Sequence, residues 1–560
     1  MATRRRLFDG WDRNALRRFR LGRICDNPTM PRLKRTRSTL ALLALVAIVG
    51  GCGSAASSPP SAGASPSLAA SPSIVVTPTP EITPQPTPTP TPSVAIVPVA
   101  DFRTTATTVD QAGVAAILAG TNKQFKALEL LSGEADGILA ALQLSGTSAG
   151  TRLVLAPTLI ALDTDLDAGT SRLGLIQASE VGPSIRAINW AGKSLFGESR
   201  VKTLAEWPLQ ANVGAATTTV EYNPSQAWTV AAAGDVNLDR GVYNEIHNLG
   251  KGADYPFDGG SVQITGHTCC SPVYGWPLPK TKRLSSDTLV RNMMSGADLS
   301  MANLEGPAPV SSSYHTSGLL FTFNQSYLSG LKNAGIDVVS LANNHVGNAG
   351  RQGMRETTAA LDKIGIAHAG LGANDTAARA PAIFTIQGVR VAFLAYDSIA
   401  PSYWASATAE GSAKLASDQT VSDIQAAKAA GAQVVIVYPH WGVEYHTTPT
   451  SFERTWAHRM IDAGADIIIG NHVHYVAAME VYKGKPIWYA QGNFVFDQNW
   501  SELTEEGLIL ELSFSGGTLV QAWMHPILDL ANCQPNLLDA ASGQVVLNRL
   551  YAATGKMTSW

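Results

Sequence analysis

At 560 residues, with 45% apolar and 15% charged side chains, the chain is too long for one ordinary domain and holds apolar material for more than one core. Its formal charge of −3 conceals an asymmetry: residues 1–37 carry 12 Lys/Arg and 3 Asp/Glu, leaving 29 basic and 41 acidic residues, near −12, in the remainder. That remainder has no basic run and no basic–aromatic patch, which excludes nucleic acid as an expected partner.

Arg32, Lys34, Arg35 and Arg37 precede an apolar run from Thr39 to Val49. About a dozen residues is the length of a signal-peptide core and is short for a bilayer span. The run ends in Val49-Gly50-Gly51-Cys52, which resembles a lipobox, so residues 1–52 read as a lipoprotein leader with Cys52 as the lipidation site. An ordinary signal peptide with a chance cysteine is the alternative. Met30 already opens a complete basic n-region and is the expected start, against an extended n-region over residues 1–29. The expected location is the outer face of the cell membrane, held by a lipid anchor.

Residues 53–98 are rich in Pro, Ser, Thr and Ala, including the run Thr87-Pro88-Thr89-Pro90-Thr91-Pro92. Such a stretch cannot bury a core and reads as a disordered, partly polyproline-II linker, reaching on the order of 100 Å at about 3.1 Å per residue. The cysteines beyond it, Cys269, Cys270 and Cys533, form no CxxC pair, so a thiolate zinc site is not indicated. A bridge from one of the vicinal pair to Cys533 is one arrangement open to an exported chain.

Residues 99–215 read as a small α/β lobe, with helix-like stretches at Val109–Leu118 and Gly133–Leu144 and apolar strand-like runs from Leu153 and Leu173. The segment from Gly174 to Ile188 resembles part of a periplasmic solute-binding protein, which leaves a ligand-binding role and a structural or docking role both open.

Residues 226–535 repeat one pattern, an apolar or β-branched run that ends in a loop of polar, metal-ligand residue types. In α/β folds such strand ends gather residues distant in sequence. The first run ends at Gly234-Asp235, with the glycine expected to permit a tight turn. The second leads to Asn303-Leu304-Glu305 and the third to Asn343-Asn344-His345. The fourth leads to Pro439-His440-Trp441-Gly442 and Glu444, and the fifth to Gly470-Asn471-His472-Val473-His474. If the last segment were extended, alternation would bring His472 and His474 to one side. Two amides and a histidine in a row after a buried strand are poor core material, because each unpaired group costs a few kcal/mol to bury.

These residues, together with Arg240 and the segment Gln491-Gly492-Asn493-Phe494-Val495-Phe496-Asp497-Gln498, resemble the bacterial capsule synthesis (CapA/PgsA, poly-γ-glutamate) family over about 300 residues. The resemblance implies a calcineurin-like metallophosphoesterase fold: a four-layer αββα sandwich, here preceded by the smaller α/β lobe and the linker and followed by a tail over 536–560. It implies a two-metal site with Asp235, Glu305, Asn344, His440, His472 and His474 as ligands. His345 would assist the leaving group, and Arg240 would pair with an anionic substrate oxygen, unless it forms an ordinary surface ion pair. The sequence departs from the superfamily pattern at Asn237, where a histidine is usual, and at Glu305, where an aspartate is usual. Mixed carboxylate, amide and imidazole donors suit two Mn, Fe or Zn ions rather than Ca²⁺. Trp441 and Tyr445 either line a cleft or belong to the core, and Gly492-Asn493 is expected only to shape a turn.

The function implied is a metal-dependent hydrolase acting on a cell-envelope polymer or phosphoester, in capsule or poly-γ-glutamate synthesis or export, alongside capsule synthase partners. The alternative is a non-catalytic polymer- or synthase-binding subunit on the same fold; a solute sensor using the lobe is a third reading.

Overall fold

The computed structural model describes residues 93–145, 150–214, 222–271 and 275–557. The expected leader, Cys52 as the expected lipidation site, and the linker as far as residue 92 lie outside the described residues. All described residues belong to one compact unit.

The first sheet is built on the strand Val94–Asp101, which begins inside the stretch that composition assigns to the linker. Its apolar run Val94-Ala95-Ile96-Val97 is short, so the prolines and threonines before it mask it. This strand runs antiparallel to both Arg172–Gln177 and Ile185–Ala187, while Ala127–Leu131 and Leu153–Ala156 extend the sheet in parallel. Helices Gln111–Ala119, Ala135–Ala141 and Leu159–Asp167 accompany it, matching the stretches expected to be helical at Val109–Leu118 and Gly133–Leu144. Asp110 and Thr158 cap two of them by accepting from the backbone N–H groups of Gly113 and Ala161. Ile96, Val114, Leu128, Ile138, Leu162 and Leu175 share one buried core.

From Ala227 onward two larger sheets stack. In the ten-stranded sheet the central strand Ala227–Val236 is parallel to Leu299–Leu304 and to the short Asn493–Val495, and antiparallel to Glu506–Ser515. In the six-stranded sheet Val389–Asp397, Val434–His440, Ile467–Ile469 and Lys485–Trp488 are parallel, with antiparallel edges Ala382–Ile386 and Met479–Tyr482.

The period-2 alternation of each strand builds the layers. Val230 and Ala232 face the space between the sheets, where they meet Val391, Phe393, Val434 and Ile436. Ala231 and Ala233 face the other way, into a core with Leu328, Met354 and Leu361 from the helices Leu328–Asn333 and Gly350–Ile364. Ala392, Leu394, Val435 and Val437 meet Ile424, Trp456 and Met460 from the helices Asp418–Ala429 and Ser451–Ala463. The result is helix, sheet, sheet, helix, the αββα order expected from the resemblance. The Ser451–Ala463 helix is delimited by a Thr450/Glu453 capping box and by Gly464 in the left-handed region.

The chain ends in order: the strand Gln534–Leu538 and the helix Ala540–Gly555 occupy most of what reads in the sequence as a tail. Val546, Leu547 and Leu550 of that helix enter the inter-sheet core. The cysteine expectation is corrected. Cys269 and Cys270 are bonded to each other, and Cys533 is free, buried among the apolar side chains beneath the ten-stranded sheet.

Candidate metal centre

Five strand ends converge. Asp235 is the penultimate residue of the central strand and is fully buried. Its Oδ1 accepts from Asn303 Nδ2 at 2.8 Å and its Oδ2 from the His472 backbone N–H at 3.2 Å. Gly234, expected to serve a turn, lies within the strand. A Cβ there would sit 1.9 Å from the Gly492 carbonyl oxygen, so the glycine is required by the close approach of two backbones.

Glu305 follows the parallel strand Leu299–Leu304 and is also fully buried. His440 closes the strand Val434–His440, with its Nε2 2.8 Å from Asn344 Oδ1 and its Nδ1 3.4 Å from Asn303 Nδ2.

His472 and His474 converge by a different device from the one alternation suggests. The segment after Ile467–Ile469 is a turn, and both histidines hold left-handed backbone, with φ of 96° and 59°. Non-glycine residues pay a conformational cost there, and such strain clusters at functional sites. The His440 and His472 rings lie 4.7 Å apart and the His472 and His474 rings 6.2 Å apart. His474 Nδ1 is 2.9 Å from Asn493 Oδ1, which directs Nε2 toward Glu305, 3.9 Å away. Asn493 in turn donates to the Thr504 carbonyl at 2.8 Å. It is therefore an orienting partner of a histidine rather than only a turn residue.

Two triads result, Glu305 with His440 and His472, and Asp235 with Glu305 and His474; within each, the ligand atoms lie within 4.8 Å of one another. Glu305 belongs to both. Its two carboxylate oxygens have no hydrogen-bond donor, and neither does His472 Nδ1. A buried carboxylate without a donor or counter-charge is among the most unfavourable groups a fold can hold. The donor set fits divalent cations, which would satisfy those atoms together. The electrostatics point the same way. Burial pushes the Asp235 carboxyl up to about 7, and burial together with the Asp235 charge raises Glu305 well above the carboxylate range. Burial likewise holds His440 and His472 well below the usual imidazole value and His474 at about 3, so the three rings are neutral, as ligands must be.

His345 adjoins the cluster. Its Nδ1 is 3.0 Å from Asn348 Oδ1, its Nε2 is 3.8 Å from Glu305 Oε1, and its ring lies against Phe321 at 4.2 Å. Burial lowers its pKa to about 4. Asn343, beside Asn344, does not join the metal-facing set; it accepts from the His345 N–H and donates to Asn303 Oδ1 and the Leu304 carbonyl.

Arg240 is neither a surface residue nor a free one. Its guanidinium pairs with Asp497, donates to the Gly318 carbonyl at 3.1 Å and lies over the rings of Phe321 and Phe496. Its charge still reaches Glu305, His345 and His474. Asn237 Oδ1 accepts from the Asp239 N–H, while its Nδ2 is buried without a partner. Trp441 is core, donating to the Tyr489 carbonyl, whereas Tyr445 stands at the surface with its ring 6.1 Å from His474. The sequence assigns no role to Asn303, Asp239 or Asp497. Their only signal is position, directly beside residues of ligand type at strand ends.

A sandwich whose strand ends gather two carboxylate–imidazole triads about one shared glutamate defines the class, a metal-dependent hydrolase-like α/β protein. Residues 229–498 match the bacterial capsule synthesis protein family PGA_cap. It is 33% identical over 235 residues to the capsule biosynthesis protein CapA of Bacillus anthracis, covering 41% of this chain and 56% of that protein. It is 29% identical over 235 residues to the PGA biosynthesis protein CapA of Bacillus subtilis strain 168, covering 41% and 62%. The chain thus spans less than two thirds of either relative. Among solved structures, the 5'-nucleotidase precursor from Thermus thermophilus aligns at 12% identity over 60% of each chain, with a TM-score of 0.34. The four-layer description rests on the packing above and not on that likeness. Among the described residues no helix is long and apolar enough to cross a membrane.

Proposed function

We propose that this chain is a lipid-anchored, extracytoplasmic hydrolase of cell-envelope polymer metabolism, acting on a phosphoester or a γ-glutamyl amide in capsule or poly-γ-glutamate synthesis or export. The observation that carries the reading is Glu305, shared by two triads and left with both oxygens unsatisfied. Capsule and poly-γ-glutamate biosynthesis are what the names of the Bacillus relatives state. Membrane attachment rests on Cys52 and its leader, and contact with a capsule synthase rests on the family alone. Residues 99–215 are proposed as a separate docking or ligand lobe, and residues 226–535 as the hydrolase-like domain.

In this reading Asp235, Glu305, Asn344, His440, His472 and His474 hold two divalent ions. When bound, such ions supply Lewis acidity at a phosphoryl or acyl oxygen and an activated water. Asn493 fixes the His474 tautomer, and Asn303 orients Asp235. His345 donates its Nδ1–H to Asn348 and turns a bare Nε2 toward the cluster, so the proton it passes to the leaving atom is one first taken from water. Arg240, paired with Asp497, acts through its field and by holding Phe321 against His345 rather than by a bidentate grip on substrate. The alternative, a non-catalytic polymer- or synthase-binding subunit, draws support from Asn237, whose amide oxygen is taken by its own loop.

Metal content of the purified chain beside the His472→Ala/His474→Ala variant separates the two. Near-stoichiometric Mn, Fe or Zn in the wild type that the variant lacks, with turnover of phosphoester or γ-glutamyl substrates, supports the hydrolase. A wild type that takes up no metal on reconstitution leaves the binding subunit.

A further inference from the structure

A cavity lies where the N-terminal sheet meets the C-terminal strands, and none of its lining residues belongs to the metal centre. Its volume is about 180 Å³. The walls come from the loop after Val94–Asp101, from Arg186 in Ile185–Ala187, and from the strand Thr518–Leu530 with the start of the C-terminal helix. Two arginines, one histidine and three threonines line it, and no carboxylate does.

Two of its three basic side chains are already matched. Arg103 takes both oxygens of Asp101, at 2.7 and 2.9 Å, and His525 lies 2.9 Å from Glu511. Arg186 is different. It is 6% exposed, donates Nη2 to the Ala106 carbonyl and lies 4.9 Å from the Trp523 ring centre. Its Nε has no partner, and among the described residues no carboxylate pairs with it. Burial lowers its pKa to about 10, with Asp101 only partly opposing. A buried guanidinium without a counter-anion is strongly unfavourable, and its planar fork of donors matches carboxylate and phosphate groups. The hydroxyls of Thr104 and Thr105 accept from Ala106 N–H and Gln124 Nε2, which leaves their protons to donate. Trp523, Leu538 and Leu547 supply an apolar wall.

We propose that this cavity binds a small organic oxyanion, its carboxylate or phosphate group paired with Arg186 and the threonine hydroxyls and its apolar remainder against Trp523, Leu538 and Leu547. The site bridges two parts of the chain, because Gln544 donates to the Arg103 carbonyl and Gln521 accepts from the Ala187 N–H across the same seam. It does not depend on the metal chemistry.

The test is calorimetric titration of the full chain with benzoate and with benzylphosphonate, a non-hydrolysable phosphate analogue, at constant ionic strength. Wild type, Arg186→Met and Thr107→Glu are compared. Thr107 is exposed at the cavity mouth, so its substitution keeps the test valid if Arg186→Met does not fold. Saturable binding that weakens at least tenfold in each folded variant supports the proposal; benzoate alone marks a carboxylate site and benzylphosphonate alone a phosphate site. Anion binding at the metal centre would survive both substitutions. Binding of equal strength in wild type and variants, or no binding of either probe, overturns the proposal and leaves Arg186 a structural residue.

Discussion

The buried acids of the N-terminal sheet and those of the metal centre are held in opposite ways. In the former, Asp101 is matched by Arg103, while Glu129 and Glu134 each have one oxygen bonded, to Arg172 at 3.1 Å and to Gln177 at 2.5 Å. In the latter, Asp235, Glu305, His440, His472 and His474 meet from separate strand ends, and among the described residues no Lys or Arg bonds to any of them. Pairing satisfies a buried charge locally, and stability alone accounts for it. Convergence without a counter-charge is stable only if something else supplies one, and that is the mark of a site.

The sharpest way to break this contrast is Glu305→Ala. Because Glu305 stands in both triads, both ions should be lost together, a larger effect than the roughly 10–100-fold that removal of an outer hydrogen bond costs. Elemental analysis that still finds two ions per chain would return Glu305 to the ranks of structural acids. A smaller effect is expected for Asn493→Ala, which frees the His474 ring without removing a ligand. Metal affinity should fall about 10–100-fold, and because the Thr504 carbonyl also loses its donor the fold should lose about 1–3 kcal/mol. An unchanged affinity, read by competition with a chelator, would show that His474 needs no orienting partner.

The smallest expected effect lies in the N-terminal sheet. Burial, with the nearby Asp165 charge adding to it and Arg172 opposing, raises the Glu129 carboxyl from 4.5 to about 7. Folding therefore takes up a proton between those values. The contribution to stability is complete below about 4.5 and is lost as pH rises through about 7. Glu129→Gln removes that dependence, so the melting-temperature difference between variant and wild type should shift in the variant's favour across this window. A pH-independent difference would mean that Arg172 already holds the carboxylate ionised.

Much of the sandwich was legible because its strands are buried on both faces and read as apolar runs, such as Val434-Val435-Ile436-Val437 and Ile467-Ile468-Ile469. The polar residues that break those runs stand out for the same reason, which is how Asp235, Glu305, His440, His472 and His474 could be singled out together. Other features were not legible. The convergence of His472 and His474 depends on left-handed backbone at both, and no residue type in the segment signals it. The partner of Arg240 is Asp497, 257 residues away, and the need for Gly234 comes from Gly492 across the sheet. The vicinal cysteines pair with each other, although the count alone allowed Cys533.

The sequence alone determined which residues are buried in strands, where each strand gives out, and which chemical types stand at its end, because hydrophobic alternation and strand length are local properties of the chain. Only the tertiary structure decided that Glu305 serves two triads, that Arg240 is spent on an internal ion pair, that Asn493 steers a histidine, and that Arg186 is left buried without a counter-charge. Each of these is a statement about distance and desolvation between segments far apart in the chain, and neither quantity exists until the chain has folded.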